Sequence, residues 1–119
     1  MDINYIEVND QKFAEICSDL IVVNTPEDVL ELMANVGSLG ANGMILYEHN
    51  LNPDFFVLRT RLAGEILQKF SNYHMKLAII GDFKKYNSMS LQAFIAESNR
   101  GRLVFFTPDK EKALAYLSR

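Results

Sequence analysis

The chain of 119 residues contains one cysteine, Cys17, so no disulfide can form within it. That usage suits a reducing compartment, and we expect a cytoplasmic protein. Its longest apolar runs, such as Leu20–Val23 and Leu77–Ile80, are far too short to cross a bilayer. The opening residues, MDINYIEVND, have no basic region followed by an apolar run, so we expect no signal peptide and no membrane partner.

The chain also has no excess of positive charge. It carries 12 basic and 15 acidic side chains, with a formal net charge of −3. Binding to nucleic acid relies on a basic face that neutralises phosphates, so this balance argues against general nucleic-acid binding and we expect no nucleic-acid partner. Hydrophobic residues make up 49% of the chain, the balance of a globular protein with a real core. At this length we expect one domain, covering residues 1–119.

The familiar catalytic and metal-binding motifs are missing. No Walker A, GxGxxG or GxSxG pattern occurs. His49 and His74 fall in different predicted loops, and no Cys/His spacing supplies the three or four ligands of a zinc site. Cys17 lies in a predicted strand, where a small core residue is commoner than a nucleophile. We therefore expect no catalytic residue, no metal and no cofactor. The absence of these motifs favours a role other than catalysis.

The chain does contain alternating strand and helix patterns. Asn9-Asp10 is a turn pair between two apolar segments, which predicts an opening β-hairpin. Thr25-Pro26 predicts the start of the first helix, and Gly37 its end. A loop is predicted at 50–54. Later strands are predicted at 43–47, 75–80 and 103–106, and later helices start at Thr60, at Ser88 or Ser90, and at Thr107-Pro108-Asp109.

The order of elements is therefore ββαβαβαβα. It predicts an α/β fold with a mixed, mostly parallel five-stranded sheet flanked by helices. In open α/β sheets, ligands favour the carboxyl ends of the parallel strands. That rim would carry Glu48 after the third strand and Asp82 after the fourth, and the start of the second helix should open onto the same side.

Three neighbours at the start of the second helix are candidates for binding. Arg59 and Arg61 beside a helix N-terminus can form an anion site, although capping by Thr60 with both arginines in solvent is the commoner arrangement.

Asp82, after the fourth strand, can bind a metal, a hydroxyl or a partner's arginine. It can also form a hydrogen bond within its own turn, which is the commoner role. These residues are candidates for contact with a ligand or partner.

The second helix itself carries one unexplained glycine. Leu62, Ile66, Phe70 and Tyr73 form an apolar stripe at helical spacing. Gly64 should cost this helix about 1 kcal/mol relative to alanine. Close helix–sheet packing is the favoured reason for the missing side chain, and a partner or ligand touching the backbone is the other.

Three segments, LAGEILQKF at 62–70, KLAIIGD at 76–82 and ESNRG at 97–101, resemble a bacterial family catalogued as domain of unknown function 4180. The resemblance covers nearly the whole chain, and the family name itself carries no activity.

The order of elements is also similar to the STAS and SpoIIAA-like folds, a group that includes anti-sigma-factor antagonists. This resemblance implies a STAS-like domain with a phosphorylatable serine or threonine near the start of the helix after a central strand. Thr60 is nearest by position, but the segment 58–61, LRTR, stands in place of the usual Asp-Ser-Ser-Gly stretch.

Two functions remain compatible with these residues. The preferred hypothesis is a regulatory or interaction module that meets a protein partner through the second helix and the adjoining rim. The alternative is a small-molecule-binding protein or enzyme with a polar pocket formed by Glu48, Asp82 and Arg61. A third hypothesis is a homodimer built through Phe55–Phe56 or Phe83, although loop aromatics can equally cover the core.

Overall fold

A computed structural model describes all residues, 1–119, and shows a five-stranded sheet between two layers of helices. The strands are β1 (Asp2–Val8), β2 (Gln11–Cys17), β3 (Gly43–Tyr47), β4 (Lys76–Ile80) and β5 (Val104–Thr107). The helices are α1 (Pro26–Ser38), α2 (Leu62–Asn72), α3 (Met89–Arg100) and α4 (Lys110–Leu117). The predicted order of elements and the mixed, mostly parallel sheet are confirmed.

The opening hairpin is the one antiparallel pair of the sheet. Strands β1 and β2 pair from Asp2 with Cys17 through to Val8 with Gln11. Asn9 and Asp10 between them have positive φ angles of 52° and 65°, the backbone that a tight two-residue hairpin turn requires. The predicted hairpin is therefore confirmed.

The sheet has the strand order β1-β2-β3-β4-β5, and β2 through β5 run parallel. Because the three crossovers step in the same direction with the same hand, they place α1, α2 and α3 on one face. The larger hydrophobic core lies beneath these helices, and a smaller core lies between the sheet and α4 on the other face. After Lys76, strand β4 is apolar because Leu77 and Ile79 face the first core while Ala78 and Ile80 face the second.

Helix α1 starts as predicted but ends later. Thr25 is its N-cap and accepts a hydrogen bond from the backbone N–H of Asp28, with Pro26 at the first helical position. The prediction that Gly37 ends the helix is wrong, because Gly37 lies inside it and Leu39 is the C-cap. The chain turns away at Gly40, whose φ of 87° suits a glycine.

Helix α2 starts at Leu62, two residues after the predicted cap, Thr60. Arg61, with a left-handed φ of 67°, occupies the N-cap position, so the prediction that Thr60 is the N-cap is wrong by one residue. The Thr60 hydroxyl nevertheless accepts from the Leu62 N–H at 3.3 Å and donates to the carbonyl of Asp54 at 2.7 Å. The predicted loop at 50–54 is also more ordered than expected, because 3-10 helices cover 48–50, 53–56 and 58–60.

Burial differs from the sequence-based expectation at several side chains. Cys17, the last residue of β2, is exposed, so the expectation that it is a small core residue is wrong. Tyr73 is also exposed, since the helix ends before it completes the stripe. Phe55, Phe56 and Phe83 are buried in the larger core, so they cover the core and are not exposed anchors. None of the four helices combines the length and apolar character that a membrane crossing needs.

Candidate functional site

A cleft opens at the carboxyl ends of β3 and β4, the rim where the sequence predicts a site. Its volume is about 480 Å³. Apolar side chains make up half of its lining, and the polar groups come from the ends of the two strands and the loop after β4. The lining residues are Ile21, Tyr47, Glu48, His49, Leu51, Pro53, Phe56, Ile80, Gly81, Lys85 and Tyr86.

Glu48 is the central charged group of the cleft. Its side chain is only 15% exposed, and its carboxylate accepts hydrogen bonds from the Lys85 ammonium at 2.8 Å and from the Tyr86 hydroxyl. Burial, together with the neighbouring Glu48 carboxylate, raises the pKa of Tyr86 above its ordinary value, so this hydroxyl stays protonated as a donor. The topology of the sheet brings these groups together, because β3 and β4 are adjacent and parallel.

Gly81 leaves the space that Glu48 occupies. A Cβ atom added at Gly81 would lie 2.6 Å from Cβ and 2.7 Å from Oε1 of Glu48. Real Cβ atoms do not approach other heavy atoms this closely, so a side chain here would displace Glu48. The Gly81 N–H donates to the carbonyl of Thr107 at 3.1 Å, which anchors this position to β5. The observed position of the Glu48 side chain therefore requires a glycine at 81.

Aromatic rings provide much of the remaining wall. Tyr47 and His49 stack with centroids 5.8 Å apart, and Phe56 and Tyr86 stack at 5.0 Å. The Nε2 atom of His49 lies 2.8 Å from the carbonyl of Ser18. A carbonyl can only accept, so Nε2 carries the hydrogen and the bond fixes the ring orientation.

Asn50 holds the edge of the cleft in place. It is fully buried, and its side-chain oxygen accepts from the Tyr47 N–H at 2.9 Å. Its amide nitrogen donates to the carbonyls of Ser18 at 2.9 Å and Leu20 at 3.0 Å. These bonds attach the segment after β2 to the end of β3, and Ile21 of that segment lines the cleft. The cleft is therefore preformed in the free protein.

A second buried carboxylate, Glu15, lies on the α4 side of the sheet. It accepts from the Tyr47 hydroxyl at 2.6 Å, from Lys110 at 2.9 Å and from Asn4 at 3.1 Å. Burial raises the pKa of Glu15, but these three donors outweigh it and hold the pKa below its ordinary value. The group fixes the start of α4 and the position of the Tyr47 ring in the cleft wall.

The predicted site residues fall in different places. Glu48 lies in the cleft. Asp82 is exposed and accepts from the Lys84 N–H at 3.3 Å, the bond within its own turn that the sequence offers as its commoner role. Arg59 and Arg61 are exposed and form no ion pair. These three residues and Thr60 do not line the cleft, so the structure does not join them to Glu48 in one pocket.

Gly64 has no packing role. It is exposed on α2, and no atom lies within 4 Å of a Cβ added there, so the prediction of close helix–sheet packing is wrong. It lies instead in a shallow groove of about 570 Å³ between α1 and α2. The apolar stripe of α2 is centred on Ile66 and Phe70, which leaves Gly64 on the other side of the helix.

The sequence did not point to Glu15, Lys85 or Tyr86 as members of a site. Glu15 had a usable signal, because strand alternation places it on the same face as the buried Phe13. Lys85 and Tyr86 lie in a polar loop without periodicity, so only the fold reveals their contact with Glu48. No three His, Cys, Asp or Glu side chains come together in an arrangement that would hold a metal ion.

Comparison with known proteins gives one match. A family model described as "Domain of unknown function (DUF4180)" matches residues 8–117, a range that contains every residue of the cleft. No curated protein matches the chain, and no solved structure matches it.

Proposed function

Because the chain belongs to the DUF4180 family, whose description carries no activity, we propose its function from the geometry of the cleft. The chain is a small-molecule-binding module whose ligand occupies the cleft at the carboxyl ends of β3 and β4. The observation that carries this proposal is the Glu48 carboxylate, which is mostly buried yet opens into a cavity. A charged group placed among the apolar and aromatic walls of a cavity is a feature of small-molecule sites.

The dimensions and lining of the cleft support the proposal. Its volume of about 480 Å³ falls within the range of about 300–1,000 Å³ that small-molecule sites occupy. Such sites combine apolar and aromatic walls with a few placed polar groups, as this cleft does. Its place at the ends of adjacent parallel strands is where α/β sheets bind ligands.

A regulatory role through a protein partner is the second candidate. It is favoured by Arg59 and Arg61, two exposed cations without an ion-pair partner at the start of α2. A partner carboxylate or phosphate could bond to both. The hydroxyl of Thr60 is engaged with backbone carbonyls, so phosphorylation there would first have to break those bonds.

The wider setting follows from the fold and composition. We infer a single STAS-like module, which the hairpin, the sequential strand order and the crossover helices support. The lone cysteine and the absence of disulfides support a cytoplasmic setting. Both candidate functions fit such a module, since a ligand in the cleft could alter what the neighbouring α2 surface presents.

A thermal-shift screen of metabolites separates the two candidates. A ligand at about 100 times its dissociation constant adds roughly 2.7 kcal/mol of stability, which should raise the melting temperature by about 10 °C. We expect Glu48→Gln to lose most of this stabilisation and the double variant Arg59→Ala/Arg61→Ala to retain it. Asp82→Asn, outside the cleft, is the matched carboxylate control and should behave as the wild type does.

Either of two results would overturn the cleft as the site. One is a broad metabolite library that stabilises nothing; the other is stabilisation that survives Glu48→Gln but disappears in the double arginine variant. If the arginine variant instead fails to capture a protein that the wild type captures, with Glu48→Gln capturing it normally, the interaction role is supported.

A further inference from the structure

We propose that the cleft recognises an ammonium group carried on an apolar or aromatic body, and that Lys85 occupies the ammonium position in the free protein. This inference rests on the proposed function and names the chemical class of its ligand. The argument starts from the difference in burial between the two partners of one ion pair. The Glu48 side chain is 15% exposed, whereas that of Lys85 is 56% exposed.

Glu48 requires a donor because a carboxylate removed from water is stable only when it is hydrogen-bonded or paired with a cation. The Tyr86 hydroxyl supplies one bond. The second partner, the Lys85 ammonium, reaches the carboxylate on a long side chain that is largely in solvent. The fixed part of the site is therefore the carboxylate with its tyrosine, and the replaceable part is the ammonium.

The position of the Lys85 ammonium shows which chemistry the site accommodates. Its Nζ atom lies 2.8 Å from the Glu48 carboxylate and 5.4 Å from the centroid of the Tyr86 ring. A carboxylate combined with an aromatic face is a favourable environment for a cation. Beyond it, the cleft presents Phe56 and Tyr47 as surfaces for an apolar body. A ligand amine would reproduce the contacts of Lys85 and add these.

An ammonium ligand can replace Lys85 without leaving Glu48 unpaired, because the incoming cation takes over the pairing that the mostly buried carboxylate requires. The Lys85 side chain is already 56% exposed, so it regains full hydration and side-chain freedom when it leaves. No other lysine or arginine lines the cleft, so the site without Lys85 carries the negative charge of Glu48 alone. This charge favours a cationic ligand over an anionic one.

Glu15 is a comparable buried carboxylate, but all of its hydrogen-bond donors come from strands and helices of the fold. It also accepts from a tyrosine hydroxyl and a lysine, Tyr47 and Lys110, but Asn4 adds a third donor and its side chain is only 7% exposed. The donors of Glu15 thus come from three elements of the fold, β1, β3 and α4. Lys110 is therefore the matched control for Lys85.

The test compares benzylamine with benzyl alcohol, a neutral molecule of nearly the same shape, by NMR titration of the intact protein. Removal of the internal competitor in Lys85→Ala should tighten benzylamine binding by about three- to tenfold. Adding Glu48→Gln to that variant should abolish the gain. Lys110→Ala should leave the affinity unchanged, and benzyl alcohol should bind weakly and equally to every variant.

Two outcomes would overturn the inference in distinguishable ways. Equal affinities for benzylamine and benzyl alcohol in Lys85→Ala, at amides that line the cleft, would reject ammonium recognition while leaving the cleft as a ligand site. If neither probe nor any metabolite perturbs the cleft in wild type or Lys85→Ala, the proposed function fails together with the inference. Circular dichroism of each variant confirms that the comparison is made between folded proteins.

Discussion

Gly81 and Gly64 show how the same residue type can have opposite consequences at two places. Gly81 lies against Glu48, where an added Cβ would be 2.6 Å from a neighbouring carbon. Gly64 faces open space on α2, with nothing within 4 Å. One glycine is therefore required by the cleft, and the other has no structural requirement within the chain.

Alanine at each position should change stability in opposite directions. We expect Gly81→Ala to reduce the free energy of unfolding by about 1–3 kcal/mol, because overpacking displaces Glu48. Gly64→Ala should raise it by about 0.5–1 kcal/mol, because alanine is the better helix former. Urea unfolding followed by circular dichroism measures both, and a wild-type stability for Gly81→Ala would contradict the assigned role of Gly81.

The two glycines also show what a sequence reveals at this scale. The apolar stripe through Ile66 and Phe70 already placed Gly64 on the outward side of α2. The prediction that Gly64 packs against the sheet was therefore inconsistent with the apolar periodicity of the same helix. The role of Gly81 depends on Glu48 from another strand and therefore required the fold. Asp82 was predicted with both a site role and a turn role, and the structure shows the turn bond.

Helix α4 is attached to the sheet through an ion pair as well as through apolar packing. It covers one face of the sheet over a smaller core, and Lys110 at its start bonds to the buried Glu15. The pKa of Glu15 lies below the ordinary value of 4.5, because three donors outweigh the effect of burial. An unfolded chain has no such donors, so its Glu15 binds a proton at higher pH.

The stability that Glu15 provides should therefore depend on pH. It is fully present above the ordinary pKa of 4.5 and is lost as the pH falls through the lower folded value, because the unfolded state then binds more protons. We expect the difference in unfolding free energy between wild type and Glu15→Gln to be largest near pH 7 and to shrink below about pH 4.5. Urea unfolding across this range measures it, and a difference that grows on acidification would contradict the account.

Elements were easier to predict than their ends. The four helices and five strands follow from apolar periodicity and from caps such as Thr25 and Ser88. The ends at Gly37 and Thr60 were misplaced, because a glycine tolerates helical geometry and because Thr60 bonds to the 3-10 turns before it. Those turns have no periodic signature in a sequence, so none of them was predicted and 50–54 was expected to be a loop.

At the scale of the whole molecule, the site is a product of topology. Sequential strand order places β3 beside β4, so Glu48 at the end of one strand meets the loop that follows the other. The sequence predicted the rim and Glu48 through the general rule for α/β sheets. It could not predict Lys85 and Tyr86 as partners, because nothing local in the chain indicates which way the loop after β4 folds.

The most direct test of the cleft as the ligand site is a map of amide NMR shifts in the full-length, isotope-labelled protein. A broad fragment library that includes benzylamine is titrated, and each binding compound is mapped separately. The account predicts that the largest shifts fall at the ends of β3 and β4, within 47–57 and 80–87. Shifts concentrated at 59–65, at the start of α2, or no binding compound at all, would contradict it.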